Sequence, residues 1–191
     1  MKVAVFGGSF NPPHVSHVLA CASVLSTTDV ERILVVPTYL HPFAKALASY
    51  EDRVAMCERA MGWLPGVEVS RVEEALGGES RTLRTLQHLV AEHPDWQLRL
   101  VIGADILLES SKWFGFDQIR ELAPPIVLGR AGIHGHGGQD GGGAPRPLLP
   151  EISSTQVRTM IAEGRHDDLA PLVPRRVLDY VFERGLYTRV V

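Results

Sequence analysis

The sequence predicts an α/β fold, doubly wound around a mainly parallel sheet, with a helical part at the C-terminal end over about 150–191. Two observations carry this prediction. Short apolar runs of strand length alternate with stretches whose apolar residues recur at helical spacing, the pattern of successive βαβ units. Two of those runs end in small, sharp turns, Gly7-Gly8-Ser9 and Gly103-Ala104-Asp105, of the kind found at the carboxyl edge of a parallel sheet, where ligands bind.

In chain order, Val3-Ala4-Val5-Phe6 reads as the first strand. Val15, Val18, Leu19, Ala22 and Leu25 then place a helix over 14–26. Ile33-Leu34-Val35-Val36-Pro37 is a second buried strand, and 38–47 lacks periodicity and reads as a functional loop. Ser49-Tyr50-Glu51-Asp52 has the form of a capping box and opens a helix to about residue 64, ended by Pro65-Gly66. A third strand is expected over 67–72, and a helix over 82–93 with Leu83, Leu86, Leu89 and Val90 on one face, stopped by Pro94. The fourth strand is 98–102, helical stretches follow from Ile106 and over 117–122, and the fifth strand is 125–130. The glycine-dominated stretch 132–143 cannot bury a core and reads as a flexible surface loop. Helices over 153–163 and 174–184, with a turn near Leu169 between them, complete the chain.

Length and composition narrow the class. With 191 residues, one domain over 1–191 is expected. A net charge of −3 gives no general attraction to nucleic acid, so no nucleic-acid polymer is expected as a partner, and a nucleotide would need a local site. No apolar leader and no run of membrane-spanning length is visible, which predicts a cytoplasmic protein with no membrane partner. Cys21 and Cys57 both fall in apolar helical patterns and read as reduced, buried thiols. Oligomeric state stays open, a homo-oligomer included.

The chemistry concentrates in Gly7-Gly8-Ser9-Phe10-Asn11-Pro12-Pro13-His14-Val15-Ser16-His17, a strand, tight loop and helix start. Residues three apart on a helix share a face, so His14 and His17 can converge on one ligand, and a helix N-terminus offers N–H groups to an anion. Imidazole donors suit a phosphoryl group that gains charge during transfer. Lys45, in the loop after the second strand, is a candidate point charge for phosphate. Ile152-Ser153-Ser154-Thr155-Gln156-Val157-Arg158 forms a second candidate anion-binding helix start. Trp113 and Phe114 offer aromatic faces for a planar heterocycle. Neither the P-loop nor the dinucleotide glycine fingerprint occurs, and His134 and His136 lack partners at ligand spacing, so no protein metal site is expected.

Together the paired-histidine string, Gly103-Ala104-Asp105, Ser80-Arg81-Thr82, Trp113 and the Ser-Ser-Thr-x-x-Arg helix resemble the nucleotidylyltransferase superfamily over nearly the whole chain, in particular its bacterial nicotinate-nucleotide adenylyltransferase branch. The resemblance implies a Rossmann-like nucleotidylyltransferase fold. It also implies an enzyme of NAD biosynthesis that joins ATP and nicotinate mononucleotide into nicotinate adenine dinucleotide, releasing pyrophosphate. His14, His17, Lys45 and Arg158 would then be catalytic. Gly8, Ser9, Phe10, His14, His17, Gly103, Asp105, Ser154, Thr155 and Arg158 would meet ATP, and Asn11, Lys45, Thr82, Trp113, Phe114 and Arg130 the mononucleotide. Mg²⁺ would be held mainly by the ATP phosphates. A related enzyme using nicotinamide mononucleotide, phosphopantetheine or another phosphorylated acceptor, or a non-catalytic nucleotide-binding regulator, is the alternative.

Three positions depart from the family pattern. Leu40-His41-Pro42-Phe43-Ala44-Lys45 stands where the family has Pro-Pro-His-Lys. Ser16 replaces a glycine between the histidines, where a side chain is expected to crowd the phosphates. Arg81 stands where an aromatic residue often precedes Thr82.

Overall fold

The computed structural model describes residues 1–41, 47–104, 114–130 and 148–188, with the backbone alone at Arg130 and Leu148. Lys45, Asp105, Trp113, the Arg130 side chain, the helix expected from Ile106 and the glycine-rich 132–143 therefore lie outside the described residues.

Among the described residues six strands form one sheet: β1 (Lys2–Gly8), β2 (Arg32–Pro37), β3 (Val67–Val69), β4 (Gln97–Gly103), β5 (Pro125–Arg130) and β6 (Leu148–Leu149), in the order β3-β2-β1-β4-β5-β6. Every pairing is parallel. The order reverses between β1 and β4, and in open α/β sheets the crevice outside the carboxyl ends of the strands at that point receives the ligand. Gly8 lies at that edge of β1, opposite Pro37, and Gly103 lies at the same edge of β4, opposite Leu128.

Eight helices lie among the described residues: α1 (Val15–Thr27), α2 (Tyr50–Met61), α3 (Val72–Leu76), α4 (Thr82–Glu92), α5 (Phe116–Leu122), α6 (Ser154–Ala162), α7 (His166–Leu169) and α8 (Arg175–Glu183). None is long and apolar enough to cross a membrane. Successive strand residues point to opposite faces, so a sheet covered on both sides needs apolar residues at every position. Ala4, Ile33, Val35 and Val101 pack on one face with Ala20 and Val24 of α1, Met56 and Ala60 of α2 and Val177 and Val181 of α8. Val3, Val5, Leu34, Val36, Leu100 and Ile102 pack on the other with Leu83, Leu86 and Leu89 of α4 and Ile119 of α5.

Two elements differ from the expectation. The third strand stops at Val69, because the Ser70 hydroxyl accepts the Val72 N–H at 3.3 Å and turns the chain into α3. The alternation Val67-Glu68-Val69 simply runs on in sequence into the helix start. β6 is a strand of two residues, too short to leave a periodic signal.

The C-terminal helix is fastened to α2 by a buried carboxylate. Ser49 caps α2 by accepting the Asp52 N–H at 3.1 Å and donates its hydroxyl to the Asp52 carboxylate at 2.6 Å. The other carboxylate oxygen accepts from the Tyr180 hydroxyl at 2.9 Å and pairs with Arg184 at 3.4 Å. Burial pushes the Asp52 carboxyl upward, but these donors outweigh it and hold it below its ordinary value. A carboxyl held low in the folded state contributes stability above its unfolded pKa of about 4, and that contribution is lost as the pH falls below it. Asp52→Asn is expected to cost about 1–3 kcal/mol at neutral pH. Thermal denaturation across pH 2–7 checks both points, with wild type and variant converging on the acid side.

Candidate active site

The first loop begins where β1 and β2 end. Thr38 N–H donates to Gly8 O at 2.9 Å, and the chain then turns through Phe10, whose φ of +46° is left-handed. The Phe10 ring folds back under Gly8, where an added Cβ would meet ring atoms at 3.2 to 3.4 Å, so glycine makes room for it. That ring packs edge-on against Phe6 at 5.5 Å and His17 at 5.0 Å. Phe10 is 2% exposed, so it can meet a ligand only through its backbone. The Asn11–Pro12 peptide is cis.

Helix α1 starts with the two histidines exchanging hydrogen bonds. His14 is the N-cap, in extended conformation, and its carbonyl accepts the His17 N–H at 2.9 Å. The His14 N–H donates to His17 Nδ1 at 3.0 Å, and the two rings lie 3.8 Å apart at an interplanar angle of 34°. An imidazole nitrogen that accepts a hydrogen bond carries no proton, so the His17 proton sits on Nε2, which is a donor. The Val15 N–H donates to Leu172 O at 2.9 Å. The expectation of helix N–H groups open to an anion is thereby narrowed, because those of His14, Val15 and His17 already serve protein acceptors.

The loop's carbonyls are satisfied from elsewhere in the chain. Ser9 O accepts from Arg53 Nη1 at 3.1 Å, Asn11 O from Arg158 Nη1 at 2.8 Å, and Pro12 O from the Ser154 hydroxyl at 2.8 Å. Asn11 Oδ1 accepts twice, from Ala48 N–H at 3.0 Å and the Tyr187 hydroxyl at 2.8 Å. Its buried Nδ2 has no partner among the described residues and keeps both protons for a ligand. Tyr187 itself takes a left-handed φ of +63°, and burial pushes its hydroxyl pKa up.

Of the residues expected in the site, the structure brings together Gly8, Ser9, Phe10, Asn11, His14, His17, Ser154, Thr155 and Arg158. Ser153 is the residue that caps α6, accepting the Gln156 N–H at 3.1 Å. Ser154 spends its proton on Pro12. Arg158 reaches the loop and also donates to Thr155 Oγ1 at 3.2 Å, leaving further guanidinium N–H groups. Thr82 opens α4, and beside it the Arg81 guanidinium lies 5.7 Å from the ring of Phe114, which is 73% exposed.

The crowding expected from Ser16 does not occur. Its side chain is buried, and its hydroxyl donates to Pro150 O at 2.8 Å, turned toward the C-terminal segment. Sequence reasoning missed Arg53 and Tyr187. Arg53 did leave a signal, since it falls on the same α2 stripe as Cys57 and Ala60, where a cation needs a buried partner.

With this geometry in place, comparison with known proteins is informative. The cytidylyltransferase-like family model matches residues 5–160. A protein of Anaeromyxobacter sp. (strain K), named "Probable nicotinate-nucleotide adenylyltransferase", is 46% identical over 189 residues, covering 97% of this chain and 96% of the relative. One of Myxococcus xanthus with the same name is 41% identical over 98% of this chain and 95% of its own length. Plasmodium falciparum nicotinic acid mononucleotide adenylyltransferase, solved in complex with NaAD, superposes with a TM-score of 0.79 at 17% identity, covering 99% of this chain and 98% of that one, and shares its fold. From the match to most of its length, the chain belongs to the cytidylyltransferase-like family.

Proposed function

We propose that the chain transfers the adenylyl group of ATP to nicotinate mononucleotide, yielding nicotinate adenine dinucleotide and pyrophosphate, as one nucleotidylyltransferase domain of the cytoplasm. The observation that carries this reading is the histidine pair at the start of α1, beyond the carboxyl edge of β1, where the His14 N–H donates to His17 Nδ1 at 3.0 Å and the two rings lie 3.8 Å apart. Relatives named for this reaction at 46% and 41% identity support it.

The 5′-phosphate of the mononucleotide attacks the α-phosphorus of ATP, an oxygen–phosphorus bond forms as the bond to the pyrophosphate leaving group breaks, and no protein nucleophile takes part. The protein positions the partners and stabilises the charge. His14 and His17 face the phosphates, Arg158 and Lys45 add positive charge, and the Asn11 amide donates to a phosphate oxygen. Gly103, Asp105, Ser154 and Thr155 fall to the ATP side, with the backbone of Gly8, Ser9 and Phe10. Thr82, Trp113, Phe114 and Arg130 fall to the mononucleotide. Imidazole, amide and guanidinium N–H groups fit phosphate oxygens better than a bare cation, so Mg²⁺ fits here on the nucleotide's own oxygens. When bound it neutralises phosphate charge.

Incubation of the purified protein with ATP, Mg²⁺ and a panel of acceptors tests the assignment. Nicotinate mononucleotide is expected to give the highest kcat/KM, and preference for nicotinamide mononucleotide, phosphopantetheine or a polyol phosphate would reassign the substrate. Nucleotide binding without pyrophosphate release from any of them would leave a regulator.

His17→Ala is expected to lower kcat by about 100- to 1000-fold, by the scale of losing one donor to a charge-developing oxygen. It also removes the acceptor of the His14 N–H, for which a stability loss of about 1 kcal/mol is expected. Steady-state kinetics beside thermal denaturation separates the two effects.

A further inference from the structure

We infer that Arg53 is a positioning residue for adenylyl transfer: its buried guanidinium locks the loop after β1 and both ends of the loop after β2 into one frame. This rests on the reaction proposed above. Arg53 is 2% exposed, and its three nitrogens donate to three carbonyls from three segments. Nη1 reaches Ser9 O at 3.1 Å, Nη2 reaches Tyr39 O at 3.4 Å, and Nε reaches Ala48 O at 3.1 Å. Ser9 belongs to the histidine loop. Tyr39 and Ala48 bracket the stretch that carries Lys45, so one planar group ties its start, its end and the phosphate loop together.

Two of the three anchor points are braced a second time. The Tyr39 N–H is held by the Glu73 carboxylate at 3.0 Å and the Ser80 hydroxyl at 2.9 Å, so Tyr39 is gripped on both sides. The Ala48 N–H donates to Asn11 Oδ1 at 3.0 Å, joining the end of the second loop to the first. Among the described residues no carboxylate lies within ion-pairing distance of Arg53. Burial draws its pKa down, with Glu73 acting only at longer range. A cation buried against three carbonyls and the ring of Tyr50, whose centre lies 5.6 Å from its guanidinium carbon, is unusual for a residue that serves packing. Its planar fork supplies donors in fixed directions, which is what holding three separate backbone oxygens requires.

Two substitutions test this. Arg53→Lys keeps the charge but places its donors on one nitrogen, and Arg53→Gln keeps two donors without charge. A folded variant is expected to lose about 10- to 100-fold in kcat, with KM for ATP changed less than kcat, the scale of loss when reacting groups are misplaced. Independently of activity, trypsin is expected to cut the Lys45–Ala46 bond of the variant about tenfold faster than that of the wild type, while cleavage elsewhere changes little. Wild-type kcat in a folded variant, or a rise in cleavage spread evenly over the chain, would overturn the proposal, as would failure of both variants to fold. If the wild type turns over none of the acceptors, the adenylyl-transfer reading fails, and the trypsin comparison still decides whether Arg53 holds the loops.

Discussion

Buried carbonyl oxygens need donors, and the turn after β1 has three that find them far away in sequence. Pro12 is served by Ser154, 142 residues on, and Asn11 by Arg158, 147 residues on, while the Asn11 side chain is held by Tyr187, 176 residues on. A buried carbonyl left without a partner costs about 1–3 kcal/mol. The loop therefore reaches its final form only when the C-terminal helices have docked. Those helices do more than cover the sheet, because α6 and Tyr187, in the segment after α8, are part of how the site is built. The Asp52 carboxylate, bonded to Tyr180 and Arg184, is what keeps the last helix close enough to do so.

The same accounting explains the chemistry available at α1. A helix start usually presents unsatisfied N–H groups, and here the protein uses three of them for its own capping and docking. What the backbone gives up, the side chains restore. By accepting from His14 N–H, His17 fixes its own proton on Nε2, so a capping interaction also decides which atom can donate. The Asn11 amide is treated in a similar way: two donors on Oδ1 orient it and leave Nδ2 over. Both groups are oriented before a ligand arrives, which lowers the cost of reorganisation when charge develops.

Much of the fold was legible because a sheet covered on both faces demands apolar runs at strand length, and β1, β2, β4 and β5 all obey that. Ser49-Tyr50-Glu51-Asp52 announced α2 for a local reason, a cap whose acceptor and donor lie three residues apart. Features that failed to show are those decided by long-range contacts. Ser16 reads as an obstacle between two histidines until Pro150 supplies an acceptor on the far side. Ser154 reads as a phosphate ligand, and the bond its hydroxyl gives to Pro12 O is not visible in the sequence. Arg158 reads as a phosphate cation, and its first bond turns out to be to the loop backbone. The position of a side chain along a helix was visible in each case, but the neighbour brought in by the fold was not.

Arg53 shows why such a position resists a simpler residue. A methionine would fill the α2 stripe, and burying it would be favourable by about 1.5–3 kcal/mol. It would also strip the donors from Ser9, Tyr39 and Ala48, whose carbonyl directions are fixed by the ends of β1 and β2 and the start of α2. Three lost partners at about 1–3 kcal/mol each exceed that gain unless water enters, and water would loosen the three segments from one another. A lysine could satisfy one or two of them, since its donors radiate from a single atom. Guanidinium spreads its donors across a plane and stays charged even when burial lowers its pKa. The backbone geometry at the carboxyl edge of the sheet thus selects arginine, and the loops that arginine joins are the ones that carry the histidines and Lys45.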